Sequence, residues 1–184
     1  MRSFLVAALA LALAACAGKQ TKSGAADAVA ETPAVPSVPV PASCDEPAAA
    51  ASAARASDDA GEKTSAVFAL AECEHLRWGA AARRSDEKLG QIAALYAEAI
   101  AGKVPKYVIG GNVRTGDLYI VAGNKQKARE SYENGLNAAD ATDTNTRLDL
   151  DISDWVKAAC KGIHQVGGQE RQFKVCNPWK ESWR

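Results

Sequence analysis

Histidine is scarce in this chain. The 184 residues include only two, His75 and His164, with a single methionine and an aromatic content of 6%. Imidazole is the usual metal ligand and neutral-pH general base, so two isolated histidines leave little material for either role. Charge of one sign is missing too: 22 basic side chains balance 22 acidic ones. A nucleic-acid surface needs a basic face, and here the cations are scattered apart from Arg83-Arg84. No apolar run approaches the roughly 20 residues that span a bilayer. Gly-x-Ser-x-Gly is absent, which removes the nucleophile-elbow arrangement. Gly111 and Gly116 have phosphate-loop spacing, but Asp117 stands where a lysine must be and would repel phosphate. Acid groups such as Asp149, Asp151 and Asp154 read as a solvated helix face.

The most informative segment is the amino end. Arg2 gives a positive start, Phe4 to Ala15 are apolar, and Gly18-Lys19-Gln20 ends the run. That length suits a cleaved signal peptide over residues 1–15, not a membrane span. Leu13-Ala14-Ala15-Cys16 resembles a bacterial lipobox. The resemblance implies lipidation of Cys16 (palmitate among the acyl chains) and an address in the cell envelope. In such lipoproteins an Asp after the cysteine favours the inner membrane, so Ala17 implies the periplasmic face of the outer membrane. The alternative is simple secretion, with Ala10-Leu11-Ala12 or Ala12-Leu13-Ala14 as the cleavage site. Loss of the signal removes Arg2, leaving one more acid than base.

Residues 16–62 read as an Ala/Pro-rich tether. Thr32 to Pro41 places a proline at every second or third position, which favours extended polyproline II at about 3.1 Å per residue. Residues 45–62 hold almost nothing bulky, and Asp45-Glu46-Pro47 could open a helix, so either a marginal helix or disorder is expected.

Residues 63–184 form the expected folded domain, enough for one modest core. Apolar spacing predicts a helix over 64–84 through Val67, Leu70 and Trp78. Ser85 is a candidate N-cap for the next, which carries Leu89, Ile92, Tyr96 and Ile100 and ends at Gly102. Pro105 opens a third helix towards Val121, which Gly110-Gly111 weakens and could break. After a turn at Gly123-Asn124, a helix runs over 125–139. Another carries Leu148, Ile152, Trp155, Val156 and Cys160 and stops at Gly162. The tail is irregular or a small hairpin turning at Gly167-Gly168.

Four cysteines lie beyond Cys16: Cys44, Cys73, Cys160 and Cys176. An exported chain with an even number suggests disulfides, and four cysteines permit three connectivities. The hairpin reading would set Cys160 nearly opposite Cys176, a bridge worth about 3 kcal/mol. By elimination Cys44 would pair with Cys73. Zinc at Cys160, His164 and Cys176 lacks a tight second ligand pair.

Gly116, Tyr119, Gly123, Ala128, Tyr132 and Gly135 have a spacing that resembles the tetratricopeptide repeat. There, small residues let antiparallel helices approach and a large one fills the gap between neighbouring pairs. Asn112, Gly135 and Asp140 depart from the family's tryptophan, alanine and proline. A fainter copy places Tyr96 and Ala99 36 residues before Tyr132 and Gly135, close to the period of about 34. The resemblance implies an all-α fold of antiparallel helical hairpins with a short disulfide-closed tail or small hairpin. It also implies a partner groove at Val113, Asp117, Ile120 and Val121, unless those side chains are core under the next helix.

The expected function is a non-enzymatic adaptor, without cofactor or metal, that binds an envelope protein or peptide in assembly or secretion. A cell-wall-binding protein or envelope enzyme with a site near His164, Trp179 and Trp183 is the alternative. A spacer without a specific ligand is a third reading.

Overall fold

The computed structural model describes residue 44, residues 46–169 and residues 172–179. The signal segment, Cys16, the proline-rich tether and Trp183 lie outside the described residues, as does the side chain of Trp179. The fold is all-α: α1 (Pro47–Arg55), α2 (Ala60–Ala80), α3 (Asp86–Ala101), α4 (Pro105–Val121), α5 (Lys125–Ala141), the single turn α6 (Thr144–Arg147) and α7 (Leu150–Gln165). A closing 3-10 helix spans Lys174–Trp179.

Short polar side chains start these helices by accepting orphan backbone N–H groups. Asp59, Ser85, Asn124, Asp143 and Asp149 each accept such a bond. Pro47 and Pro105 open α1 and α4, where a missing N–H costs nothing. Gly123 and Gly167 end α4 and α7 with φ of +75° and +76°. At both ends the next residue donates back five positions, Asn124 N to Tyr119 O at 2.9 Å and Gly168 N to Ile163 O at 2.8 Å. This is a Schellman closure that needs the left-handed residue.

Packing follows repeat-like hairpins. The helix α2 pairs with α3, and α4 pairs with α5; α3 packs on α4, and α5 on α7. The first helices also touch in series, α2 with α4 and α4 with α7. One layer is therefore α2, α4 and α7, and the other is α3 and α5. Two apolar clusters flank α4. One holds Ile109, Val113, Tyr132, Leu136, Ile152 and Ile163; the other holds Val67, Phe68, Ile92, Tyr96 and Leu118. Trp155 packs against both.

Two expectations fail, for identifiable reasons. Gly110-Gly111 does not break α4. A Cβ on Gly110 would lie 2.6 Å from the ring of Trp155, and one on Gly111 would lie 2.8 Å from Ile100, so both glycines serve close helix approach. The tail forms no hairpin, and there is no strand among the described residues. Gly162 does not stop α7 but sits under the Tyr132 ring, and the Gly167-Gly168 pair read as a hairpin turn is instead the helix's own cap. Phe173 is buried behind it, and Asp140 accepts from Lys174 N at 3.1 Å and Val175 N at 3.0 Å. The tail thus covers the face of α5 and α7 where a further helix would otherwise pack.

Both expected disulfides are present, Cys160 with Cys176 and Cys44 with Cys73. The second pins the entry to α1 onto α2, assisted by Arg77, which donates to the Cys44 carbonyl. The short α1 buries Pro47, Ala51 and Ala54 and reaches α3 through Arg55 and Glu98 at 2.8 Å. It lies in the stretch for which marginal helix or disorder was expected; nine residues are too few to hold a helix alone, so this packing and the bridge sustain it.

Candidate functional site

The four residues predicted to line a groove are not gathered into one. Val113 is fully buried in the cluster between α4, α5 and α7, which corrects its reading as a partner contact. Ile120 packs against that same cluster, whereas Val121 packs against the other. Asp117 accepts a hydrogen bond from Tyr132 Oη at 2.7 Å and pairs with Arg114 at 3.3 Å. The helix α4 is central, with neighbours on both sides, so Ile109, Val113 and Leu118 are taken up as core. Asp117, with 30% of its side chain exposed, retains access to solvent, and Ile120 and Val121 are only partly buried.

Around Asp117 runs a ladder of polar groups across α2, α3, α4 and α5. The Tyr96 hydroxyl donates to Glu72 Oε1 at 2.7 Å and lies 3.1 Å from His75 Nδ1. Because that hydroxyl spends its one hydrogen on Glu72, His75 must carry its proton on Nδ1 and donate it to Tyr96. Arg114 Nε lies 3.1 Å from Glu72 Oε1. Its other end donates to Asp117, which Tyr132 also serves. Burial, then the nearby Arg114 charge, pushes His75 down to about 4, so it is neutral at pH 7. Burial raises both tyrosines, and the adjoining carboxylates push the same way. Burial opposes the Arg114 charge, but Glu72 and Asp117 outweigh it and raise its pKa. Asp117 is also raised, chiefly by burial, against the pull of Tyr132 and Arg114.

The ladder's chemistry is mutual compensation: the Arg114 cation stands between two carboxylates, and each carboxylate accepts from a tyrosine. Such a network fixes helix positions at the α2–α4 seam. An aromatic group closes the seam's other end. Phe68 meets Tyr107 at 5.3 Å and Trp155 at 5.4 Å between ring centres, and Lys106 ties α4 to Asp149 and Asp151 at the start of α7. Sequence reasoning missed the ladder because its members, such as Glu72 and Tyr96, are 24 residues apart and share no local period.

The open surface lies beside this seam, between α1 and α2. A groove of about 860 Å3 has exposed alanines of both helices along its walls, Leu76 and Phe68 deeper in, and the Cys44–Cys73 bridge among its lining. Among the described residues, the charged side chains lining it are Glu46 and Glu72. A smaller hollow of about 200 Å3 lies at the tail, between Val156, Val175 and Pro178. His164 is on the exposed side of α7 near its end. Leu148 and Leu150, 73% and 82% exposed, flank the start of α7. Among the described residues no three of His, Cys, Asp and Glu are grouped to hold a metal ion, and no helix is long and apolar enough to cross a membrane.

No known protein family matches the chain, and no curated protein or solved structure matches it either.

Proposed function

We propose that this protein is a lipid-anchored adaptor at the periplasmic face of the outer membrane, binding another envelope protein without catalysing a reaction. The observation that carries this reading is the stack of helical hairpins with one end covered by its tail and, at the other, an apolar groove between α1 and α2 that no described element fills. Stacked helical units present extended surfaces for peptides and partner helices. The lipobox-like Leu13-Ala14-Ala15-Cys16 supports the anchor, and the proline-rich residues 32–41 support a spacer behind it. Two disulfides support an oxidising compartment.

Membrane fractionation of cells labelled with palmitate tests the anchor. The wild-type chain carries label into the outer-membrane fraction, and Cys16→Ala loses both label and membrane association. A Cys16→Ala protein that stays with the membrane contradicts the anchor. Co-purification from detergent-solubilised envelopes tests the adaptor: a protein partner elutes with the wild-type chain.

A further inference from the structure

The register of the stack identifies what the α1–α2 groove is built to hold. In this fold each second helix packs on the first helix that follows it, as α3 does on α4 and α5 does on α7. The helix α1 likewise packs on the helix that follows it, α2. By that register α1 is the second helix of a hairpin, and its first helix would lie against both α1 and α2, as α4 lies against α5 and α7. That space is the groove, and among the described residues no element fills it. Its walls suit a helix. Ala49, Ala50 and Ala53 on α1 face Ala66 and Ala69 on α2, at spacings that put each set along one side of its helix. Small residues on facing helices permit close backbone approach. Among the described residues the charged groups lining the groove are Glu46 and Glu72; Glu72 is already paired with Arg114, so the exposed Glu46 is the acid left to meet a partner.

We propose that this groove binds an amphipathic helix of another protein, with an apolar stripe of small and medium side chains flanked by lysine or arginine. The bound helix completes the hairpin that α1 begins. Residues 33–41 of this chain cannot supply it, because Pro33, Pro36, Pro39 and Pro41 deny a helix its backbone donors. A helix seated along the nine-residue α1 needs about two and a half turns, roughly 14 Å. Basic flanks opposite Glu46 supply orientation and on-rate, and salt weakens the contact.

This inference rests on the adaptor reading, and photo-crosslinking of the full chain in intact cells separates the two. The probe is p-benzoylphenylalanine, placed singly at Ala69, at Ala53 and, as a control on the opposite layer, at Gln126. The expected result is an adduct from Ala69 and Ala53 whose attached peptide, read by mass spectrometry, is an amphipathic basic helix of a different protein. With the probe at Ala53, Ala69→Trp fills the groove and reduces the adduct at least tenfold, and Glu46→Lys reduces it severalfold. Both changes are on exposed positions, and circular dichroism checks that the fold persists. Attachment to residues 1–43 of the same chain or to a second copy overturns the inference but not the adaptor reading. Adducts from Gln126 alone do the same. Absence of a protein adduct from every position overturns both.

Discussion

The ring of Trp155 lies directly against Gly110, so close that a Cβ on the glycine would fall 2.6 Å from ring carbon Cζ3. The two residues join the α2–α4 half of the stack to α7, since Trp155 also meets Phe68 at 5.4 Å. Replacing Gly110 by alanine gains about 1 kcal/mol of helix propensity. It also forces a bulky, two-sided contact apart, and overpacking costs about 1–3 kcal/mol. The expected outcome for Gly110→Ala is net destabilisation, read as a lower urea midpoint. A midpoint above wild type would mean that the contact is soft.

The end of α3 separates two roles that one glycine usually combines. Gly102 closes the helix with ordinary φ of −66°, and a Cβ there would collide with the Thr64 side chain. The left-handed conformation falls instead on Lys103, at φ 57°. A non-glycine residue in that region costs about 1 kcal/mol. Lys103→Gly should therefore be neutral to stabilising, by up to about 1 kcal/mol, whereas Gly102→Ala should destabilise. Thermal melts of the two variants check this, and the opposite order would refute the assignment.

His75 sets a pH dependence. Its folded pKa is depressed to about 4 from 6.5, so the unfolded state binds the proton more tightly. The stability it confers is complete above pH 6.5 and is lost as pH falls towards 4. Unfolding free energies of wild type and His75→Gln, measured from pH 7.5 to 4, should converge as pH falls. Parallel curves would show that His75 does not titrate in this window. Glu74, held low chiefly by the Lys88 hydrogen bond, contributes acid sensitivity to both proteins and cancels in the comparison.

Each disulfide closes a loop, of 29 residues for Cys44–Cys73 and 16 for Cys160–Cys176. Chain entropy makes each worth about 3–4 kcal/mol, with different local consequences. Removing Cys160–Cys176 by paired serine substitutions should loosen the tail and raise exchange of amides near Phe173. Removing Cys44–Cys73 should release α1 and leave the amides of α5 and α7 protected. Equal loss of protection throughout the fold in both cases would contradict the assignment of each bridge to its own end of the stack.

Much of the fold is legible in the sequence, because apolar spacing and capping residues are local. Ser85 caps its helix as read, and α5 begins at Lys125 directly after the Gly123-Asn124 turn. The Gly116–Tyr132 spacing marks a true crossing, where a Cβ on Gly116 would fall 2.5 Å from the ring. The glycine pairs are where local reading fails. Gly110-Gly111 and Gly167-Gly168 look alike in sequence, yet the first serves contact with α3 and α7 and the second ends a helix. Nothing within a few residues distinguishes those uses. The Cys160–Cys176 pair is right although the hairpin behind it is wrong, because any tail that returns over α7 brings the two together. The candidate groove was less legible. Val113 carries the family's groove spacing but becomes core, and Val121 is partly buried against the other cluster, since α4 is packed on both sides. The groove beside α1 depends on which position of the stack no described helix fills, and that is a property of the assembled layers.

The central claim is that the α1–α2 groove holds a partner protein. Quantitative co-purification of the full anchored chain and its Ala69→Trp variant from detergent-solubilised envelopes tests it most directly. The account predicts one protein recovered in near-equal amount with the wild-type chain and depleted at least tenfold with the variant, at equal yield and helicity. The same proteins recovered in the same amounts with both chains would contradict it.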